Sequence, residues 1–235
     1  MVEKIALAWS GGKDSTLALH EIRRDPAFEV TCLLTTIIRD YDRISMHGVR
    51  VSLLEQQASA LGYPLAPVFI SKNASDAEYE AAMKEALEAL KQKGVTGVAF
   101  GDIFLEDLRK YREQNLARIG MKAIFPLWKR NTSEMARAFI GLGFRAVITC
   151  VDSQVLDKSF AGRAFDEKLL SELPPGIDPC GENGEFHSFV FAGPIFRQQL
   201  NIIMGETLFR DNRFYFCDFL PSNSEDGDKR GKGTK

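Results

Sequence analysis

At 235 residues, 45% of them hydrophobic, the chain is long enough to bury a large core and has the composition of an ordinary soluble globular protein. A net charge of −2 argues against nucleic acid as a partner of the chain as a whole. Residues 1–9 lack the basic start and long apolar run of a signal peptide, no window is apolar enough to span a membrane, and Cys32, Cys150, Cys180 and Cys217 form no CxxC pair, which together point to a cytoplasmic, reducing setting.

Lys4–Trp9 reads as a short buried strand and Ser15–Ile22 as a helix. A second strand, rich in β-branched residues, spans Glu29–Ile37, and an amphipathic helix over Arg50–Leu61 ends at Gly62. Leu65–Ile70 is a third strand. Ser75-Asp76-Ala77-Glu78 is a capping box that opens a helix running to Gly94, followed by a strand at Val98–Phe100. Glu106–Ile119 forms a charged helix, Ala123–Phe125 a short strand, Asn131-Thr132-Ser133-Glu134 a helix start, and Ala146–Cys150 a further strand. Strands alternating with helices of this length predict a parallel sheet with right-handed crossovers, hence an α/β domain over residues 1–150. From Val151 the rhythm changes to a short helix at Asp166–Leu173, a glycine-rich loop and strand-like runs at Phe189–Phe191 and Arg213–Leu220. That predicts a smaller α+β lobe over residues 151–220 and a disordered tail over 221–235. The sequence leaves the oligomeric state open.

Between the first strand and helix lies Ser10-Gly11-Gly12-Lys13-Asp14-Ser15. Two glycines let the backbone turn its N–H groups onto an anion, the helix N-terminus adds unpartnered N–H donors, and Lys13 adds a full positive charge. Asp14 reads as a magnesium ligand or a helix cap. The Walker A spacing occurs nowhere in the chain. Gly141-Leu142-Gly143-Phe144-Arg145-Ala146 matches the dinucleotide fingerprint only as a string, since it follows a helix and precedes a strand; it reads as a helix stop. Asp102, after the Val98–Phe100 strand, falls on the same rim of the sheet as the Ser10 loop. A second constellation, Gly181-Glu182-Asn183-Gly184-Glu185-Phe186-His187-Ser188, gathers two carboxylates, an imidazole and a hydroxyl on a predicted loop.

The Ser10–Ser15 loop resembles the SGGxDS loop of the PP-loop ATP pyrophosphatases. With Gly101-Asp102, Phe125-Pro126-Leu127-Trp128 and the Gly181–Ser188 run it is similar to the diphthine–ammonia ligase group of that family over about residues 3–220. The chain departs from the group at His187, where a Glu is typical, and around Ser45–Arg50, changes that look like the family's bacterial branch. The resemblance implies a three-layer, HUP-like (adenine nucleotide α-hydrolase) domain. It also implies an ATP-dependent, AMP-forming ligase that adenylates a carboxylate and transfers ammonia. ATP and Mg2+ would be its cofactors, and ammonium and a carboxylate acceptor, such as diphthine on elongation factor 2, its partners.

On that resemblance Ser10, Gly11, Gly12 and Ser15 bind phosphate, and Lys13 stabilises the leaving pyrophosphate. Asp14 holds magnesium or organises the loop, the adenine lies around Thr35 and Thr36, and Asp102 serves ribose or magnesium. Glu182, Glu185 and His187 position ammonium or take its protons. His20 reads as packing and His47 is open. The competing readings are the same adenylation on another small carboxylate or amide, tRNA thiolation using Cys150 and Cys180, and a non-catalytic ATP or AMP sensor.

Overall fold

The computed structural model describes residues 2–45 and 47–222; Met46 and all but the first two residues of the expected tail lie outside the described residues. Strands β1 (Glu3–Ala8), β2 (Phe28–Ile38), β3 (Arg43–Ile44), β4 (Leu65–Ile70), β5 (Gly97–Ala99) and β6 (Lys122–Ile124) form one sheet. All its pairings are parallel except that of the two-residue β3, which pairs antiparallel to the end of β2. β2 and then β4 build outward on one side of β1, and β5 and β6 on the other. The strand order thus reverses at β1, and ligands of such sheets bind at the carboxyl ends of the strands beside that reversal. The loops after β1 and β5 meet there.

Helices cover both faces of this sheet. α1 (Lys13–Ile22), α2 (Val51–Leu61) and α5 (Thr132–Gly141) contribute Leu17, Leu19, Leu53, Leu54 and Phe139 to one core; α3 (Asp76–Gln92) and α4 (Glu106–Arg118) contribute Leu87, Leu90 and Leu116 to the other. Local chemistry sets the ends of these helices. Ser75 and Asn131 accept the amides of Glu78 and Glu134, and Gly62 closes α2 in the left-handed conformation at φ 81°.

The strand expected to complete the parallel sheet does something else. β7 (Arg145–Asp152) joins an antiparallel sheet of order β8-β7-β10-β9, with β8 (Phe186–Ala192), β9 (Ile202–Arg210) and β10 (Phe214–Pro221). The smaller lobe therefore begins no later than Arg145 by sheet membership rather than at residue 151, and Pro221 belongs to β10 rather than to the tail. A buried strand of this length looks the same whichever sheet it enters, because pairing partners lie far off in sequence. α6 (Glu167–Glu172), capped by Asp166, completes the lobe.

The two sheets are joined where β8 runs past the β1–α1 loop. Val190 N donates to Gly11 O at 2.9 Å, and Lys13 N donates to Ser188 Oγ at 3.1 Å. Gln57 of α2, fully buried, ties the seam: its Nε2 donates to Gly11 O at 3.0 Å and to Val190 O at 2.6 Å, and its Oε1 accepts Trp9 Nε1 at 2.8 Å. Gln57→Leu leaves Trp9 Nε1 and Val190 O without their amide partner in a fully buried place, while Gly11 O keeps Val190 N. It should lower the unfolding free energy in urea by about 2–4 kcal/mol, given roughly 1–3 kcal/mol for each stranded buried group.

Candidate active site

The loop after β1 is shaped by its glycines. Gly11 has φ +76°, and a Cβ there would come within 2.9 Å of Gln57 Oε1; one at Gly12 would come within 2.9 Å of His47 Cε1 and 3.0 Å of Ser188 O. Gly12 is the N-cap of α1 but has no side chain to cap with, so the amides of the first turn look elsewhere. Ser188 Oγ takes that of Lys13. The amides of Asp14 and Ser15 precede the first intrahelical bond, from Thr16 N to Gly12 O, and offer N–H donors and the positive end of the helix dipole. Gly101, after β5, lies against them: a Cβ at 101 would fall 2.8 Å from Asp14 C and 2.9 Å from Ser15 N.

These groups open onto a cavity of about 850 Å3 between the two lobes, on whose wall lie Ser10, Lys13, Asp14, Ser15, Asp102, Glu182 and His187. From the loop it extends as an apolar groove along the sheet face between α3 and α4, past Leu34, Val98 and Phe100 to Met83, Leu87 and Leu108. Thr35 is not part of it. Alternation along β2 turns its hydroxyl into the layer beneath α1 and α2, 2% exposed and unpaired, so the wall at the end of β2 is made by Leu34 and Thr36.

The charged residues divide into those that face the cavity and those that shape it. Lys13 Nζ bonds both carboxylate oxygens of Asp14, at 2.9 and 2.8 Å, and the carbonyl oxygen of Cys180, which uses all three of its N–H donors. Burial is the largest influence and works against its charge, but Asp14, Cys180 and Glu182 together raise the Lys13 pKa. Asp14 caps nothing; it sits in the first turn of α1, where burial raises its pKa against the pull of Lys13, helped by Asp178 and Asp102. Asp102 lies with Arg112 Nε at 2.7 Å, close but not aligned as a hydrogen bond, while Arg112 Nη2 donates to its Oδ1 at 3.2 Å. Ser10 Oγ lies 3.3 Å from Ser15 Oγ.

Glu182 is held by the backbone amide of Ile103, which donates to its Oε1 at 2.7 Å, and burial lifts its pKa to about 7 against that bond. Glu185 stands apart from the cavity. It is 5% exposed, and its carboxylate accepts Asp178 N, Asn183 N and Asn183 Nδ2 at 2.9–3.1 Å, so it folds the turn that presents Glu182. Phe186, His187 and Ser188, expected on a loop, begin β8. His47 joins His187 at the cavity wall, and His20 packs edge-on against Phe144 at 5.7 Å. Burial pushes the Cys150 and Cys180 thiols up to about 12, which favours their protonated form.

Residues 3–123 match the diphthamide synthase N-terminal domain and residues 131–218 the diphthamide synthase C-terminal domain. The chain belongs to the diphthamide synthase family. Similar curated proteins include the diphthine–ammonia ligases of Homo sapiens, 30% identical over 53% of this chain and 49% of that one, and of Danio rerio, 28% identical over 72% and 74%. The chain thus spans about half the length of the mammalian relatives it matches. Among solved structures the U34-tRNA thiolase NcsA of Methanococcus maripaludis is similar at 14% identity and a TM-score of 0.36 over 59% of this chain and 55% of that one. No helix among the described residues is long and apolar enough to cross a membrane.

Gly101→Ala places a methyl on the amides that open α1. The unfolding free energy in urea should fall by roughly 1–3 kcal/mol, the usual cost of overpacking, with the far-ultraviolet circular dichroism unchanged.

Proposed function

We propose that the protein is an ATP-dependent, AMP-forming amide ligase that adenylates a carboxylate and transfers ammonia to it, as family membership suggests. The observation that carries this reading is the meeting, in one cavity, of the open amides of Asp14 and Ser15 with Glu182 and His187. One set suits polyphosphate, and the other suits a proton-bearing nucleophile.

In this reading the adenosine occupies the apolar groove between α3 and α4, beside Thr36 and Phe100, and the phosphates run back to Ser10, Ser15 and the amides of α1. The acceptor carboxylate attacks the α-phosphorus, and pyrophosphate leaves along the helix axis, its charge met by oriented N–H groups. Magnesium fits at Asp14 and Asp102: two carboxylates on one wall, close enough for Asp102 to raise the Asp14 pKa, are the one-or-two-carboxylate set that Mg2+ shares with phosphates. When bound it would neutralise phosphate charge. Lys13 must release Asp14 or Cys180 to reach a phosphate, so its first task is to hold the 178–185 turn in place. Glu182, ionised above about 7, draws in ammonium and takes its first proton. Diphthine is the acceptor suggested by the relatives' names, carried on elongation factor 2 as the resemblance implies, with another small carboxylate as the second reading, favoured by the uncharged His187 where that group carries Glu.

Incubation with Mg-ATP, ammonium and diphthine-bearing elongation factor 2 should yield AMP and pyrophosphate only when all three are present. AMP that forms without the elongation factor moves the search to small carboxylates, and ADP with phosphate overturns the reading. The rate should rise as pH passes through about 7, since the raised Glu182 carboxyl is protonated below that value; Glu182→Gln should flatten this limb.

A further inference from the structure

Two histidines from distant parts of the chain meet in the cavity beyond the phosphate loop. The rings of His47 and His187 lie 4.5 Å apart, centroid to centroid, tilted by 37°. His47 is held from both sides. Asp218 of β10 accepts Arg43 Nη1 at 2.8 Å and Arg50 Nη2 at 2.6 Å, gripping both ends of the segment that carries it. Arg43 Nη1 also donates to Gly48 O at 2.6 Å, and Gly48, at φ +67°, lies against Phe216, where a Cβ would come within 2.6 Å of the ring. The position is built, not incidental.

His47 Nδ1 lies 3.2 Å from the carbonyl oxygen of Ser188. A carbonyl only accepts, so Nδ1 carries the proton and Nε2 of the uncharged ring keeps its lone pair. Burial pulls His47 down to about 4 and His187 well below its ordinary value; Lys13 opposes protonation of both, and His47 that of its neighbour. Among the described residues no carboxylate pairs with either ring, and both line the cavity. Lone pairs call for N–H or O–H donors. The triphosphate and the acceptor carboxylate bring only acceptors to this end of the cavity, whereas a nitrogen nucleophile in its reactive form brings N–H groups and no charge.

We propose that His47 and His187 bind the nitrogen nucleophile as ammonia and that His47 Nε2 accepts its proton during attack. This rests on the ligase reading above. The ammonia lone pair forms the carbon–nitrogen bond at the acyl carbon of the acyl-adenylate. The carbon–oxygen bond to AMP breaks with its electron pair, one N–H proton passes to His47, and the imidazolium returns it to solvent. The sum is acyl-adenylate plus ammonia giving amide, AMP and one proton.

The test is nitrogen NMR of the imidazole rings in this 235-residue chain, whose three histidines are assigned with His47→Gln and His187→Gln. Ammonium chloride is titrated at alkaline pH against tetramethylammonium chloride, which has no N–H group. Ring nitrogens of His47 and His187 should shift saturably with the first salt only, while His20 stays still, and either substitution should weaken the response of the remaining ring. Equal responses to both salts, no response, or imidazolium shifts at neutral pH would overturn the proposal. Neither ATP nor acceptor is needed, so this outcome is independent of the ligase reading. AMP formation without ring shifts sinks the histidine pair alone; ring shifts without AMP formation sink the ligase reading and leave an ammonia site. In turnover, either substitution should raise the KM for ammonium about tenfold while that for ATP changes by less than about twofold, a split that a merely structural defect would not give.

Discussion

The site depends on one seam, the hydrogen bonds by which β8 of the smaller sheet closes onto the loop after β1. Gln57 bonds Trp9, Gly11 and Val190 at once, and Ser188 takes the first amide of α1. A glycine loop alone has many conformations and loses much entropy on being fixed. Here the second sheet fixes it, and the geometry of the amides that open α1 becomes a property of both sheets. Buried polar partners give this seam direction as well as attraction, since any slip leaves them unpaired.

Lys13 extends the same logic to the 178–185 turn. Its three donors are all committed to Asp14 and Cys180, so it ties the start of α1 to the 178–185 turn. Glu185 does comparable work from within the turn, bonding two backbone amides and the Asn183 side chain. Glu182, its near neighbour in sequence, is thereby set on the cavity wall with a pKa near the physiological range. Two carboxylates three residues apart thus carry different tasks because one turn buries one and presents the other.

Much of this was legible because it is local. Caps at Ser75 and Asn131, the stop at Gly62 and the strand–loop–helix around Ser10–Ser15 all depend on neighbours within a few residues. Illegible parts depend on distant partners. β7 could not be assigned to the antiparallel sheet without β8 and β10, and Thr35 was separated from the cavity by a single step of strand alternation. Gln57 left a faint signal, a polar residue at helical spacing from Leu54 and Leu61, but nothing local said what it would bond. His47 lies at the cavity wall in a segment tied down by Asp218, 171 positions on, and by its own contact with Ser188 O.

The most direct test of the account is a crystal structure with an ATP analogue whose α–β bridge is methylene and cannot be cleaved. The account places its α- and β-phosphates over the amides of Asp14 and Ser15, its base between α3 and α4, and its α-phosphorus open toward Glu182 and His187. Phosphates bound away from the start of α1, or a base lodged against the histidines, would contradict it.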